Sequence, residues 1–295
     1  MIYEHPLAYL LGLEGVALLR GFAGEHDREF VDARIAEVRA LLDDPSLADA
    51  AVRTDRVDPV PGYRAWARTY DDEPNGAFAI DAPVVAEILD TLPAGDALDA
   101  ACGTGRFSAV LAGRGHRVVG VDGSADMIDR ARARVPDAEF RPGDLSRLPV
   151  AGGSMDLVVC ALALTHVPAL PPVLAEFARV LRPGGHLVIS DVHPERVLRG
   201  SVPSVRDAAG RPGRIVSHRH SVGDYLRAAL PLGFRPHRCE EPVPPAQDAP
   251  PKATGPGPWD QWPWSLAAMI PEAAGAANAA VPAMLIWHFQ HVRPD

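Results

Sequence analysis

The sequence predicts an α/β protein in which a parallel sheet carries helices on both faces, with an antiparallel strand at the C-terminal end and a helical extension at the N-terminus. Over the middle of the chain, short apolar runs of strand type alternate with helical patterns, as is typical of parallel sheets. The first 42 residues show helical periodicity alone. With 295 residues, 47% hydrophobic and 23% charged, the composition is that of a globular protein with a sizeable core.

Two helices are predicted ahead of the sheet. Apolar residues dominate residues 6–22 and recur at helical spacing over 25–42. The Asp- and Pro-rich stretch 43–62 is typical of a connection, so a domain boundary is expected near its end. Residues 1–60 then form a helical extension and 61–295 the main domain. The sequence leaves open whether the extension mediates a homodimer or forms one wall of a ligand pocket.

The main sheet is predicted from five apolar runs with four helical patterns around them. The candidate strands are residues 97–101, 117–121, 138–141, 156–162 and 186–192. The candidate helices are residues 80–92, 105–113, 124–134 and 170–181. Parallel sheets of this kind bind ligands at the carboxyl ends of their strands, which is where we look for functional residues.

The last third of the chain is expected to add smaller elements. These are a hairpin within 196–223, a helix at 224–230 and two strands at 233–239 and 283–290. The proline-rich segment 242–264 carries Trp259, Trp262 and Trp264. Because disordered segments are poor in aromatic residues, we interpret this segment as an ordered lid.

Charge and cysteine content exclude several classes of protein. Lys and Arg total 29 against 38 acidic residues, a formal net charge of −9, and no basic stripe is evident, so nucleic acid is not an expected partner. The three cysteines are far apart, which fits a reducing compartment. No apolar run approaches the roughly 20 residues that cross a bilayer, and Glu4 and Glu14 interrupt any secretion signal. A cytoplasmic protein with no membrane partner is expected.

The strongest local motif joins an acidic residue to a glycine turn. A predicted strand runs through Asp99 into Gly103 and Gly105, and a helical pattern follows. The glycines let a ligand approach the backbone, while the Asp99 carboxylate can accept from a ligand ammonium directly or through water. A dinucleotide site would need a third glycine where this chain has Ser108, so the nicotinamide fingerprint is imperfect.

Two further acids end the next two predicted strands. A carboxylate at Asp122 can bind both hydroxyls of a ribose, and Asp144 can accept from the exocyclic amine of an adenine. No lysine lies near these acids, and a phosphate site needs positive potential. The implied ligand is therefore adenosine that carries a cation rather than a phosphate.

Taken together, these motifs resemble the class I S-adenosylmethionine-dependent methyltransferases, in particular the small-molecule branch of the ubiquinone and menaquinone enzymes. The matching pieces within residues 63–192 are the run from Asp99 to Gly105, Asp122-Gly123-Ser124 with Met127, Gly143-Asp144-Leu145, the run from Met155 to Val159 leading to His166, and Leu181-Arg182-Pro183-Gly184-Gly185. The upstream run from Tyr63 to Asp71 is similar to the segment that often closes over the cofactor in this branch. Ala101 stands where the family has its first glycine.

The resemblance implies a Rossmann-like sheet and methyl transfer from S-adenosylmethionine, with S-adenosylhomocysteine as product. Asp99 would hold the methionine end, Asp122 the ribose and Asp144 the adenine. The full set of predicted cofactor-binding residues is Tyr63, Tyr70, Asp99, Ala101, Gly103, Thr104, Gly105, Asp122, Gly123, Met127, Asp144, Leu145 and Ala161. No metal is expected to take part.

The acceptor is the least determined part of this interpretation. In the family pattern the position of His166 faces the transferred methyl group, so His166 is the candidate general base, with a purely pocket-shaping role as the alternative. His220, Trp259 and Trp262 are predicted to contact the acceptor. The tryptophans favour a small aromatic or heteroaromatic acceptor, as in secondary metabolism, methylated on oxygen, nitrogen or carbon. Two other classes stay open: a nicotinamide-dependent oxidoreductase and a non-catalytic S-adenosylmethionine-binding protein.

Overall fold

A computed structural model describes residues 1–67, 70–71, 76–207, 209–244 and 264–292. Its α-helices are α1 (Pro6–Phe22), α2 (Arg28–Asp43), α3 (Pro45–Ala48), α4 (Pro59–Trp66), α5 (Gly76–Leu89), α6 (Arg106–Ala112), α7 (Ala125–Arg134), α8 (Leu170–Val180), α9 (Pro194–Leu198), α10 (Val222–Ala229), α11 (Trp264–Ala267) and α12 (Pro271–Asn278). Its strands are β1 (Ile2–Glu4), β2 (Val52–Val57), β3 (Asp96–Ala100), β4 (Arg117–Asp122), β5 (Glu139–Pro142), β6 (Met155–Ala161), β7 (Leu181–Val192), β8 (Ser204–Arg206), β9 (Pro212–Ile215), β10 (Phe234–Glu240) and β11 (Met284–His291).

The chain divides into two compact units. The first comprises Met1–Val57, Gly200–Ile215 and Pro244–Val281. The second comprises Asp58–Arg199, Val216–Val243 and Pro282–Asp295. Each unit has its own sheet, and the candidate cofactor-binding residues all belong to the second.

The second unit contains a seven-stranded sheet in the order β10-β11-β7-β6-β3-β4-β5. The pairs β3·β4, β3·β6, β4·β5 and β6·β7 are parallel. Strand β11 is antiparallel to both of its neighbours, β10 and β7. The predicted fold class, with its antiparallel strand near the C-terminal end, is therefore confirmed.

Apolar runs form these strands because both faces of the sheet are covered by helices. On one face Leu98, Val158 and Ile189 are buried in the same core as Phe177 of α8. On the other face the core contains Val85 of α5 and Leu111 of α6, together with Val159 and Val188. The five predicted strands match the structure to within one residue at each end, except that β7 begins at Leu181 instead of residue 186. The candidate site residues Asp99, Asp122 and Asp144 lie at or just after the carboxyl ends of β3, β4 and β5.

The first unit combines a helical core with a small sheet of order β1-β2-β9-β8. Leu10 and Leu13 of α1 are buried with Ile270 and Ala273 near the start of α12. The predicted hairpin within 196–223 forms as β8 and β9, but the structure places it in this unit because β9 pairs in parallel with β2. The predicted extension 1–60 likewise contains strands β1 and β2 besides its helices.

Arg214 of β9 and Glu4 of β1 form a buried ion pair in the first unit. The Arg214 Nε and Nη2 atoms donate to the two Glu4 carboxylate oxygens at 2.6 and 2.9 Å. Such a two-point pair fixes the geometry of both groups. It ties the hairpin to the N-terminal strand, 210 positions away in the sequence.

No helix in the described part of the chain is long and apolar enough to cross a membrane.

Gly120 on β4 is expected to tolerate no side chain. A Cβ atom at this position would lie 2.4 Å from Phe140 Cδ1 on β5 and 3.1 Å from Cys102 Sγ. We expect Gly120→Ala to lower the free energy of unfolding by about 1–3 kcal/mol, the usual cost of overpacking, as measured by urea denaturation. Gly12→Ala in α1, where a Cβ meets nothing within 4 Å, should instead stabilise its helix by about 0.5–1 kcal/mol. Equal stability of the Gly120→Ala and wild-type proteins would contradict this expectation.

Candidate functional site

The turn after β3 has the backbone conformation of a ligand-binding glycine loop. Gly103 and Gly105 have φ angles of 52° and 82°, in the left-handed region that favours glycine. Gly105 is also the N-cap of α6, and a Cβ there would lie 3.1 Å from Ala131 Cα on α7. Ala101 adopts φ 60° despite its side chain. The family glycine at this position thus has a clear steric reason, and alanine is held there under local strain.

Asp99 lies at the buried end of β3 and supports the start of α6. Its Oδ2 atom accepts a hydrogen bond of 2.6 Å from the Ser108 hydroxyl. Burial raises the pKa of Asp99 to about 6. Ser108, which the sequence analysis treated only as the missing third glycine, therefore has a structural role as the partner of this acid.

Asp122 connects the glycine turn to the start of α7. Its Oδ2 atom accepts from the Gly103 amide at 2.8 Å, and its Oδ1 atom accepts from the Ser124 amide at 2.8 Å. Burial raises the pKa of Asp122, while these backbone donors favour its ionised form. One carboxylate therefore brings the ends of β3 and β4 together, and its predicted contact with a ribose stays a prediction.

Asp144 follows β5 at the same edge of the sheet and is exposed. Its Oδ1 atom accepts from the Ser146 amide at 2.7 Å, which closes a short turn. Gly143 just before it has no room for a side chain, since a Cβ would lie 2.6 Å from Pro149 Cδ and 2.8 Å from Val121 Cγ1. The structure thus holds Asp144 in a tight turn after β5, the strand next to the one that ends at Asp122.

The other predicted cofactor-binding residues lie in the same part of the second unit, at different depths. Thr104 and Met127 are buried, whereas Gly123 is exposed and Ala101, Leu145 and Ala161 are half-buried. The Met127 amide donates to the Ser124 side chain at the start of α7. With only 1% of its surface exposed, Met127 is a core residue, and its predicted contact with the cofactor stays a prediction.

Tyr63, Trp66, Tyr70 and Phe78, in and after α4, form an aromatic cluster. Tyr63 lies edge-on to Trp66 at 5.8 Å and to Tyr70 at 6.1 Å between ring centroids. Tyr70 also lies 6.0 Å from Phe78 of α5. Burial raises the pKa of Tyr63 and raises that of Tyr70 to about 12, so both phenols are neutral at physiological pH.

Two ionic contacts next to the glycine turn were missed by the sequence analysis. Arg106, the first residue of α6, donates to both oxygens of buried Asp81 at 2.7 Å. Thr104 donates to Asp71 at 3.0 Å, and Asp71 also pairs with Arg134 at 2.8 Å. The partners in these contacts are 25 to 63 positions apart in the sequence. No local pattern therefore indicates that they are in contact.

His166 lies at the end of a short 3-10 turn after β6 and makes two hydrogen bonds through its ring. Its Nδ1 atom is 2.8 Å from the Val216 carbonyl oxygen, and its Nε2 atom is 2.8 Å from the Tyr63 hydroxyl. Burial lowers the pKa of His166, so the ring is neutral at pH 7. The predicted cofactor residue Tyr63 and the predicted base His166 are thus direct partners.

Asp191 at the end of β7 is a further acid that the sequence analysis did not select. Its carboxylate accepts from the Thr165 amide at 2.6 Å and from the Val192 amide at 2.7 Å. Burial raises its pKa to about 7. Its position after a buried strand was the same signal that identified Asp99 and Asp122, and it fixes the loop that carries His166.

An open cleft of about 540 Å³ lies beside the residues that follow His166. It is lined by Pro168, Ala169, Leu170, Pro171, His218, Arg219, His220, Asp224, Arg227 and Ala228. His220 Nε2 donates to the Val167 carbonyl at 2.9 Å, which orients its ring at the cleft. The cleft lining includes His220 but none of the glycine-turn residues. Trp259 and Trp262, predicted to contact the acceptor, lie outside the described residues, as does most of the proposed lid.

The strand order, the glycine turn after β3 and the acids that end β3 and β4 form the arrangement that the sequence analysis expected of a nucleoside-binding α/β domain. Residues 98–189 match the family described as methyltransferase domain. A solved S-adenosylmethionine-dependent methyltransferase from Mesorhizobium loti superposes with a TM-score of 0.52 at 25% identity, over 73% of this chain and 98% of that one. The chain therefore carries a class I S-adenosylmethionine-dependent methyltransferase domain, and the predicted resemblance is confirmed.

Two curated relatives share part of this domain. A demethylmenaquinone methyltransferase from Beutenbergia cavernae is 42% identical over 36% of this chain and 44% of its own length. A malonyl-[acyl-carrier protein] O-methyltransferase from Serratia marcescens is 36% identical over 39% of this chain and 44% of its own length. The chain thus spans less than half the length of either relative.

Proposed function

We propose that this protein transfers a methyl group from S-adenosylmethionine to a small aromatic or heteroaromatic acceptor. The observation that carries the proposal is the Asp122 carboxylate, which binds the Gly103 and Ser124 amides and so assembles one ligand site from two strand ends. The predicted cofactor is the one that this domain type uses. The match to this family counts against the alternative of a nicotinamide-dependent oxidoreductase.

The acids at the strand ends fit the hydrogen-bonding groups of this cofactor. Acids at the ends of β3, β4 and β5 provide acceptors for an ammonium, a ribose and an adenine amine, in that order. The backbone at Thr104, Leu145 and Ala161 would line the slot between them. When bound, S-adenosylmethionine supplies an activated methyl group on a positively charged sulfur. The protein would contribute to catalysis mainly by positioning the two reactants. Such alignment can lower the activation free energy by on the order of 7–11 kcal/mol.

The aromatic acceptor is supported by the cluster of Tyr63, Trp66, Tyr70 and Phe78, whose edges and faces suit a flat ring. The cleft beside the His166 loop offers Arg219 and His220 next to apolar Leu170 and Ala169. Such a lining suits an apolar ring that carries a polar or acidic substituent. The names of the two relatives point to a quinone-type ring in one case and to a carrier-bound carboxylic acid in the other, and the acceptor assay should include both.

The proposal is tested in two stages with the full-length chain. Calorimetry should show stoichiometric binding of S-adenosylmethionine and of S-adenosylhomocysteine. Mass spectrometry should then detect methylation, with loss of S-adenosylmethionine, in a panel of phenols, indoles, a demethylated quinol and a malonyl thioester.

Failure to bind the cofactor would reject the whole proposal. Binding followed by turnover of the thioester alone would reject the aromatic acceptor, and binding with no turnover would support a non-catalytic role. Cytoplasmic location and a homodimer stay predictions.

The affinity for S-adenosylmethionine is expected to fall with acid pH because of Asp99. The pKa of this acid is about 6, and only its ionised form attracts the ligand ammonium. Below pH 6 the dissociation constant should therefore rise about tenfold per pH unit, and above pH 7 it should be flat. Calorimetry from pH 5 to pH 8 measures this slope. In Asp99→Asn, which cannot ionise, affinity should be lower at pH 7.5 and the slope should vanish; a slope that survives the substitution belongs to another group.

A further inference from the structure

The hydrogen bonds of His166 determine which ring nitrogen carries a hydrogen. The Val216 carbonyl oxygen, 2.8 Å from Nδ1, can only accept, so Nδ1 is the N–H nitrogen. In the neutral ring the lone pair is then on Nε2, and the Tyr63 hydroxyl at 2.8 Å donates to it. The basic nitrogen of His166 is therefore already occupied by Tyr63, and it has no free lone pair for a substrate.

The Tyr63 oxygen, in contrast, donates its hydrogen to His166 and keeps its own lone pairs for another donor. The phenol contacts His166, which follows β6 and adjoins Thr165, and the Thr165 amide donates to Asp191 of β7, so the phenol lies near the carboxyl ends of β6 and β7. It also contacts Trp66 and Tyr70 in the aromatic cluster. Of the two partners, Tyr63 is thus the one available to a substrate at the predicted methyl-transfer position.

We propose that Tyr63 is the catalytic residue that accepts the proton of a hydroxyl-bearing aromatic acceptor, and that His166 is a positioning residue that takes up Tyr63's own proton. The inference rests on the proposed methyltransferase function and narrows its acceptor to a phenol-type hydroxyl. It reassigns Tyr63 from cofactor binding, and it gives the predicted base His166 an indirect role.

The proposed step is balanced in atoms and charge. As the acceptor oxygen forms its bond to the methyl carbon, the bond from that carbon to the sulfonium sulfur breaks and the sulfur keeps the electron pair. The acceptor O–H proton passes to Tyr63 Oη, and the Tyr63 hydroxyl proton passes to His166 Nε2. The positive charge that leaves the sulfur thus reappears on the His166 imidazolium, whose Nδ1–H is held by the Val216 carbonyl.

The surroundings of the pair suit such a relay. Burial raises the pKa of Tyr63 and lowers that of His166, so the phenol is protonated and the imidazole is neutral before reaction. Tyr63 cannot ionise alone at neutral pH, and a simultaneous transfer to His166 avoids a free tyrosinate. The charged or titratable groups that act on the pair are His218 on His166, and Asp122, Asp191 and Tyr70 on Tyr63. The Val216 carbonyl oxygen, which accepts from Nδ1–H, stabilises the imidazolium that forms.

An acceptor-independent experiment tests the direction of the relay. In protein with ¹⁵N-labelled histidine, NMR should show His166 as the neutral Nδ1–H tautomer at pH 7. Tyr63→Phe removes the hydroxyl that stabilises the neutral ring, so the pKa of His166 should rise while the tautomer stays the same. A wild-type ring that carries its hydrogen on Nε2 would overturn the proposal, whether or not the protein proves to be a methyltransferase.

Turnover of matched phenols tests the chemical role. Tyr63→Phe should lower kcat by ~10²- to 10⁴-fold for a weakly acidic phenol, the usual contribution of positioned proton transfer, and far less for a nitrophenol that is already anionic. Because the two residues act as a unit, Tyr63→Phe with His166→Gln should be little worse than Tyr63→Phe alone. A purely structural role would give equal losses for both phenols and additive effects, and would reject the relay.

Controls separate these outcomes from misfolding and from failure of the wider proposal. Tyr63→Phe keeps the ring, so its S-adenosylhomocysteine affinity should stay within about threefold of wild type. Tyr3→Phe removes a phenolic hydroxyl from an exposed position of the first unit and should leave turnover unchanged. Wild-type protein that binds no cofactor would reject the proposed function, whereas normal cofactor binding with undiminished kcat in Tyr63→Phe would reject only the relay.

Discussion

Asp122→Ala is expected to weaken S-adenosylmethionine binding roughly 100-fold. The substitution removes the proposed acceptor of two ribose hydroxyls, and hydrogen bonds to a charged group contribute about 1.5–3 kcal/mol each. A loss of about 3 kcal/mol corresponds to slightly more than two orders of magnitude in affinity. The substitution also frees the Gly103 and Ser124 amides, which Asp122 holds at 2.8 Å. Calorimetry measures the change directly.

Two matched variants sharpen this measurement. Asp122→Asn keeps the size of the side chain and one acceptor oxygen, so its affinity should fall between those of Asp122→Ala and wild type. Asp129→Ala removes an exposed acid from the same helix that follows Asp122, where it pairs with Arg132 on the surface, and should leave affinity unchanged. Unchanged binding in Asp122→Ala would remove this acid from the site.

Arg106→Met is expected to lower the free energy of unfolding by about 3–5 kcal/mol, because it leaves the fully buried Asp81 carboxylate without its cation. Arg106 donates twice to Asp81, and its guanidinium also lies 4.1 Å from the ring centres of Phe78 and Phe107. After the substitution, the Ser190 hydroxyl at 2.9 Å is the remaining donor to Asp81 in the described structure. Urea denaturation followed by circular dichroism gives the free-energy change.

A surface pair provides the comparison. Arg114 pairs with Asp90 at 2.8 Å, with 64% of the Asp90 side chain exposed, so Arg114→Met should cost at most about 1 kcal/mol. The double variant Asp81→Leu with Arg106→Met should recover much of the stability lost in Arg106→Met, because no buried charge remains. If Arg106→Met and Arg114→Met lower the free energy of unfolding by the same amount, the Asp81–Arg106 pair does not stabilise the fold more than a surface pair does.

The strands of the second unit could be predicted because a sheet covered on both faces demands continuous apolar runs. Residues 155–161 contain such a run, and β6 forms there. The acids that end β3, β4 and β5 were predictable for the same reason, since each polar residue follows directly on a buried strand. Asp191 carries this signal too and was overlooked. The local hydrophobic pattern therefore predicts where each strand lies and which acid follows it.

Contacts between distant segments could not be predicted in this way. Tyr63 and His166 are 103 positions apart, and nothing near either residue indicates that the phenol occupies the imidazole nitrogen. The hairpin of β8 and β9 was recognised from its turn residues, but its choice of β2 as a partner depends on long-range strand pairing. Tertiary packing determines such pairings, and the local pattern of a single sequence does not show it.

The position of β11 has a consequence for the order in which the second unit assembles. This strand follows β10 in the chain but inserts between β10 and β7, so neither neighbour has a partner on that side until residues 284–291 are made. During synthesis the edge of β7 is therefore an open template for pairing with another chain. A nascent or truncated protein that ends before Met284 would also leave Phe234 without Phe289, its ring neighbour at 6.0 Å. Aggregation of such fragments, and late acquisition of protease resistance by the growing chain, follow from this strand order.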